Sequence, residues 1–351
     1  MALIGFRSTT VADESAILAV LQEAFGMPSA SPMLDSRHLH WKYWEPHEGW
    51  RGSRSYVLTK DERIVAHAAV VPATCAWGTN RIDILHVVDW AARPDARGAG
   101  AAMMQHLGKL ADAIFTSNGS TMAFQLLPFM GFKESTTTVT DYVRPVRPWL
   151  YLRELGTHVS WRLAARCLRN AFWAVRAPSG TRDTRRAREI SAEELATARI
   201  PWPMPKYGSA VLQRPSSVMS YWLRCPAVPM KLYAVETGSN VEGYFVLAFA
   251  PGQARIVDCW LDCDAPSGWD ALVSLAVEQA RRHAEVAEVT ATSSEPLLTH
   301  ALERCGFHAR FSRPLFVRAA SGVRLPDVAI RAQMLDSDAA YLHNGMRHFL
   351  A

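Results

Sequence analysis

Long apolar runs are missing from this 351-residue sequence. No window of about 18 consecutive apolar residues occurs, which excludes a bundle of membrane-crossing helices. A mean hydropathy of −0.04 agrees with that exclusion. Cysteine is sparse and scattered: the six are Cys75, Cys167, Cys225, Cys259, Cys263 and Cys305. The closest two, Cys259 and Cys263, have no second pair and no pair of histidines to complete a zinc site, so reduced core thiols and no metal are expected. The opening residues, Met1 to Arg7, lack a basic stretch followed by an apolar run, so no secretory leader is expected and the cytoplasm is the default compartment. Strong net charge is lacking as well, and +5 over this length gives no reason to expect a nucleic-acid partner. At roughly 150 residues per domain the length predicts about two domains, each able to bury a core.

The charge that is present is unevenly placed. Between Arg144 and Arg188 stand eleven arginines against Glu154 and Asp183, a local excess of +9 that leaves the rest of the chain at −4. Within this stretch Trp161, Ala164, Ala165, Leu168, Phe172 and Val175 fall on one helical face and Arg162, Arg166, Arg169 and Arg176 on another. Such a helix has two readings. It packs its apolar stripe between domains, or residues 150–188 make a peripheral contact with an anionic membrane surface.

Before this connector, Thr9-Thr10 and Asp13-Glu14 precede Ile17, Leu18, Leu21 and Phe25 at helical spacing, predicting a capped helix that ends at Gly26. Residues 55–60, 63–75 and 82–92 read as antiparallel strands with turns at Asp61-Glu62 and Gly78-Thr79-Asn80. A Gly-rich turn, a helix through Met103 and Leu107, a strand near 113–117, a short helix and a strand near 133–144 follow. A weaker copy comes after the connector. Trp41, Tyr56 and Gly131-Phe132 are echoed by Trp222, Tyr233 and Gly306-Phe307 at offsets of 181, 177 and 175, which argues for an internal duplication. The expected division is 1–148, a connector 149–190, a second domain 191–320 and a tail 321–351.

The chemistry is expected where strand 82–92 runs into Arg97-Gly98-Ala99-Gly100-Ala101-Ala102 and a helix. Glycines and small residues there let backbone N–H groups converge at a helix N-terminus, a nest for a phosphate or pyrophosphate. The turn lacks the Gly-Lys-Ser/Thr ending of a P-loop and the third glycine of a dinucleotide fingerprint.

The run Arg93-Pro94-x-x-Arg97-Gly98-x-Gly100-x-Ala102 resembles the pyrophosphate loop of the GNAT superfamily of acyl-CoA-dependent N-acyltransferases, and Ala123-x-x-x-Leu127-x-x-x-Gly131-Phe132 resembles its second cofactor motif. The resemblance covers most of residues 5–145. It implies an α/β (α+β) fold of two tandem GNAT-like domains, each a mixed, mostly antiparallel sheet flanked by helices. It implies acetyl-CoA or another acyl-CoA as co-substrate and a small-molecule amine as acceptor, with an amino sugar suggested by analogy. By the same resemblance Arg97, Gly98, Ala99, Gly100, Ala101 and Ala102 hold the pyrophosphate, while Ala91 and Ala92 align the pantetheine and thioester. Family members place a catalytic glutamate or histidine where His86 stands, and a histidine suits proton removal from an ammonium at neutral pH. Asp89 is the second candidate base, although regular alternation points it away from His86 unless a bulge intervenes.

Two features depart from the family. Leu127 stands where many members carry a thiolate-protonating tyrosine, leaving Tyr142 as a substitute. The second domain's equivalent turn, Asp262-Cys263-Asp264-Ala265-Pro266-Ser267-Gly268, lacks the loop and carries two carboxylates that repel a pyrophosphate, so that domain is expected to be degenerate. A non-catalytic acyl-CoA-binding protein and a Fem-like aminoacyl-tRNA-dependent transferase are the alternative functions. The aromatic cluster His38, His40, Trp41, Lys42, Tyr43, Trp44 and Trp50 either covers the acceptor or packs the core.

Overall fold

Short-range chemistry fixes the first elements. In the computed structural model, which describes residues 4–154, 161–178, 183–205, 208–343 and 349–351, the Asp13 carboxylate accepts from the Thr10 N–H at 2.9 Å and pairs with Arg7 at 2.7 Å. The turn so built leads into a helix that stops at Gly26, where φ is +62°. The first half runs β1 (Ile4–Ser8), α1 (Glu14–Phe25), α2 (Ser36–Tyr43), β2 (Ser55–Lys60), β3 (Arg63–Trp77), β4 (Asn80–Ala92), α3 (Ala99–Leu107), β5 (Ala113–Thr116), α4 (Thr121–Leu126) and β6 (Lys133–Pro145). After α5 (Trp161–Arg176) come β7 (Arg186–Ile190), α6 (Ala192–Leu195), β8 (Ser209–Leu212), α7 (Ser216–Leu223), β9 (Met230–Thr237), β10 (Asn240–Ala250), β11 (Gln253–Leu261), α8 (Pro266–Arg281), β12 (Glu288–Ser293), α9 (Pro296–Arg304), β13 (His308–Ala319) and β14 (Ala329–Arg331).

The chain divides into two units: Met1–Thr137 with Met204–Gln213 and Pro314–Ile330, and Thr138–Pro203 with Arg214–Arg313 and Arg331–Ala351. In the first, β1, β2, β3 and β4 form an antiparallel meander, β5 joins β4 in parallel, and Phe316–Ala319 of β13 lies antiparallel to β5. Both faces of this sheet are covered, which is why β3 is buried almost end to end rather than alternating. Leu85 and Val87 pack with Met103, Met104 and Leu107 of α3 and with Leu127 and Phe132. On the opposite face Ile84 meets Phe115, Cys75, Trp77, Leu315 and Val317.

The second unit repeats the pattern with other strands. Strands β7, β9, β10 and β11 are antiparallel neighbours, β12 joins β11 in parallel, and Thr140–Pro145 of β6 lies antiparallel to β12. The units therefore do not follow the linear spans 1–148 and 191–320. Each parallel pair is followed by a strand drawn from the other half of the sequence, and the register of β6 on β12 and of β13 on β5 decides membership. Residues 321–351, expected as a tail, supply β14 and a segment at Gln333 that bridges Ser293. The connector helix is α5; residues 155–160 and 179–182, with Arg182, lie outside the described residues.

The β2–β3 hairpin turns through Asp61 and Glu62 at φ of +50° and +66°, the mirror-image turn that tight hairpins need, without the glycine that favours it. Glu62→Gly is expected to raise unfolding stability by about 1 kcal/mol, read by thermal denaturation. An unchanged or lower melting temperature contradicts the strain assigned to this turn.

Candidate active site

Strands β4 and β5 pair only over Ile84–His86 and Ala113–Phe115. Beyond His86, β4 runs on to Ala92 while β5 ends at Thr116, so the sheet forks. Among the described residues no other strand takes up the edge of β4 that β5 leaves. Backbone N–H and C=O groups within a sheet need partners, so an edge of this kind can pair with an extended, amide-bearing ligand.

His86 sits at the fork. Its ring is 4% exposed and stacks on Phe115, with centroids 4.9 Å apart. Just after it the β3–β4 register slips: Ala69 opposes Val88 and His67 opposes Ala91, so Asp89 and Trp90 together stand opposite one residue. This is the bulge that the alternation argument required. Asp89 takes the strained φ of +50° there, a conformation costly for a residue with a Cβ. Its carboxylate accepts a hydrogen bond from the Tyr43 hydroxyl at 2.5 Å and lies 2.5 Å from Lys42 Nζ. Burial alone pushes this carboxyl up, but the Lys42 charge and the hydrogen bonds from Lys42 and Tyr43 outweigh it and hold the pKa below the ordinary value. Next to it His67 is fully buried, its Nε2 3.0 Å from Ser55 Oγ and its ring 4.9 Å from that of Tyr43.

After Ala92 the chain turns through Arg93, whose backbone and Nε donate to the Val65 and Ile64 carbonyls at 2.9 and 3.0 Å. Gly98, at φ +81°, then starts α3, a backbone state that favours glycine at this point. The N–H groups of Ala99 and Ala102 are taken by the Ala96 and Gly98 carbonyls. Among the described residues, those of Gly98, Gly100 and Ala101 have no backbone acceptor, leaving donors at a helix N-terminus for an anion. The Trp90 indole donates to the Gly100 carbonyl at 2.9 Å, and a Cβ at Gly100 would approach that indole nitrogen to 3.3 Å. Trp90 thus ties the end of β4 to the loop. The sequence reading passed over it, although an aromatic residue just before a Gly-rich turn was the available signal. Ala91 is buried, Ala92 half-buried, and Arg97 exposed.

The aromatic cluster divides. His38, Trp41, Lys42 and Tyr43 are buried, each at 3% exposure or less, so packing claims them and an acceptor platform does not; His40 remains exposed. Leu127 lies in the core at 1% exposure, where no thiolate-protonating group stands. Tyr142 belongs to the second unit, opposite Ala291, and its hydroxyl is pushed up by burial and then by Glu303.

In the second unit the corresponding fork is filled from within the unit. Strands β11 and β12 pair over Gln253–Ile256 and Glu288–Ala291. Beyond that point Gln333 accepts from the Cys259 N–H at 2.9 Å, donates to the Cys259 carbonyl at 2.7 Å and bridges Ser293. A side-chain amide so placed meets both of the strand's polar groups, leaving Cys259 nothing for an external amide.

Residues 5–131 match the family model described as an acetyltransferase (GNAT) domain. This segment is a GNAT domain. The whole chain resembles solved structures of the same fold. A GCN5-related N-acetyltransferase from Anabaena variabilis is 12% identical with a TM-score of 0.57, covering 90% of this chain and 73% of that one. One from Kribbella flavida is 15% identical with a TM-score of 0.53, covering 91% and 71%. Saccharomyces cerevisiae N-myristoyltransferase, solved with bound myristoyl-CoA and inhibitors, is 11% identical with a TM-score of 0.58, covering 93% and 82%. No curated protein sequence matches the chain. The match carries acyl transfer from an acyl-CoA as the class of chemistry. Among the described residues no cluster of metal-ligating side chains is found, and no helix is long and apolar enough to cross a membrane.

Burial pushes His67 down to about 4, with Asp89 opposing and Lys42 assisting, and burial with the Arg54 charge pushes His47 to about 4. Unfolded, both take up protons near pH 6.5, so below that pH the unfolded state binds more protons and the GNAT domain loses stability until about pH 4. Asp89, held low, keeps its contribution above the unfolded carboxylate pKa and loses it as the pH falls through the folded value. His67→Gln is expected to flatten the decline in melting temperature between pH 6.5 and 4, removing up to about 3 kcal/mol of the loss in unfolding free energy at the acid end. An unaltered slope excludes His67 as its source.

Proposed function

We propose that the first unit transfers an acyl group, acetyl in the simplest case, from acyl-CoA to a primary amine by direct attack. The observation that carries this reading is the contrast between the two forks: the first has an unclaimed strand edge leading to a glycine-started helix with open amides, and the second is filled by Gln333. In this reading Arg97, Gly98, Ala99, Gly100, Ala101 and Ala102 hold the pyrophosphate, with the open N–H groups of Gly98, Gly100 and Ala101 as the principal donors. Ala91 and Ala92 align the pantetheine, and a backbone N–H there polarises the thioester carbonyl. His86, at the fork, takes the proton from the ammonium, directly or through one water. Asp89 is the weaker base because Lys42 and Tyr43 hold its carboxylate as an anion of low basicity.

The unit-by-unit repetition of element order supports a tandem duplication in which only the first copy binds acyl-CoA. The amine is a small molecule; an amino sugar remains one candidate, without the buried aromatic cluster as its platform. The cytoplasm is the proposed compartment. Burial of Leu127 in place of an acid favours one second reading, acyl-CoA binding without turnover. A thiol-release screen over amino sugars, polyamines and amino acids separates the two.

Acetyl-CoA is expected to bind the wild-type chain in isothermal titration, and Ala101→Glu, which puts a carboxylate against the open amides, is expected to abolish the signal. No wild-type binding at high micromolar concentration refutes the cofactor assignment. With an active amine in hand, His86→Gln is expected to lower kcat by about 100-fold and to remove the acid limb of its pH profile. An unchanged profile moves the base elsewhere.

A further inference from the structure

In the second unit, helix α5 turns its apolar stripe outward: Trp161, Leu168, Phe172 and Val175 are 77%, 78%, 52% and 85% exposed. At 1.5 Å per residue Leu168, Phe172 and Val175 alone extend over roughly 10 Å, an exposed apolar face. The opposite face anchors the helix, with Asn170 fully buried and the Trp173 ring stacked on His308 at 3.8 Å. The helix is therefore held in this orientation. Beside the stripe lies a cavity of about 530 Å³ lined by Trp161, Phe311 and Phe349 together with Arg166, Arg169 and Arg310.

The charges around this patch identify what covers it. Arg166 donates to the Phe349 carbonyl at 2.7 Å, Arg310 to that of Leu350 at 3.0 Å, and Arg169 to the Asn170 side-chain oxygen at 3.1 Å. Arg176 lies over the Phe172 ring at 4.3 Å. Arg166 also donates through Nε to the Ala351 oxygen, and among the described residues no aspartate or glutamate pairs with any of these four guanidiniums. Burial, followed by the charges of Arg310 and Arg166, lowers the pKa of Arg169, a sign that the cations repel one another. A second copy of the same face would bring further arginines against these and raise the repulsion. An anionic surface would neutralise them while its apolar interior covered the stripe, which is how an amphipathic helix lies in the plane of a bilayer interface.

We propose that α5 and the arginine-lined cavity beside it form a docking surface for an anionic lipid bilayer, with the apolar stripe entering the headgroup boundary and the guanidiniums meeting lipid phosphates. The docking is peripheral, and it is independent of the acyl-transfer reading because no residue of the fork takes part.

The test is co-sedimentation of the full chain with vesicles of phosphatidylcholine alone or mixed with phosphatidylglycerol, at low and high salt. Binding is expected with the anionic vesicles, at least about tenfold weaker with phosphatidylcholine, and weakened by salt. Arg169→Gln and Arg176→Gln are each expected to lower partitioning about fivefold. The double variant Leu168→Glu, Phe172→Glu is expected to abolish it with the melting temperature unchanged, since both side chains face solvent. No binding to anionic vesicles overturns the proposal, as does equal binding by the double variant. A concentration-dependent dimer in sedimentation velocity that this variant dissociates also overturns it, assigning the face to a second copy.

Discussion

A sheet that forks must satisfy the backbone groups it leaves along the parted edges, and both units of this chain are organised by that requirement. Parallel pairing of β4 with β5 ends at His86, while that of β11 with β12 ends at Ile256 and Ala291. One requirement is met in two ways. In the second unit Gln333 offers an amide whose N–H and C=O reproduce what an extended chain would present to Cys259. The GNAT domain has no such internal partner along β4 among the described residues, and an amide-bearing arm of CoA has the matching chemistry. That difference is independent of the Gly-rich loop and points the same way.

The bulge after His86 ties the fork to the helices. An extra residue in β4 reverses the alternation and aims Asp89 at α2, where Lys42 and Tyr43 meet its carboxylate. The strain of a positive φ at Asp89 is offset by a buried ion pair with Lys42 and a hydrogen bond from Tyr43, the kind of over-determined arrangement in which such strain persists. Its consequence for chemistry is negative for Asp89 itself. A carboxylate stabilised as an anion is a poor proton acceptor, so the role the network supports for Asp89 is to position the strand.

Much of this was legible in the sequence, for reasons that can be located. Strands β2, β3 and β4 announce themselves through β-branched runs and their turns, Gly98 through a backbone state that glycine favours, and α1 through the Thr10–Asp13 capping box of the turn that leads into it. What stayed hidden depends on contacts remote in sequence. Nothing local in β6 or β13 tells which parallel pair it will complete, since either strand offers the same ladder of donors and acceptors; register across more than a hundred residues decides it. Lys42 could be read only as one member of an aromatic cluster, because its partner, Asp89, reaches it only through a bulge that no composition rule reveals. Gln333 was passed over because its role lies in the geometry of one amide.

The uneven charge acquires its meaning from the same division. Most of the arginine excess falls on the second unit, whose parallel-pair turn carries Asp262 and Asp264 and would repel a pyrophosphate, while the rest of the chain is net acidic. An anion binding in the first unit therefore draws little from a broad positive field. At the proposed site its attraction would be local, from the N-terminus of α3, the open amides of Gly98, Gly100 and Ala101, and Arg97 beside them. Fixed backbone donors of this kind keep their strength in salt better than exposed side chains do, because they are held in place by the fold and act at contact distance rather than across solvent. The proposed anion site of the GNAT domain and the arginine-lined face of α5 are thus two different electrostatic devices in one chain: the first short-ranged and shaped by glycine, the second dependent on side-chain charge and open to screening.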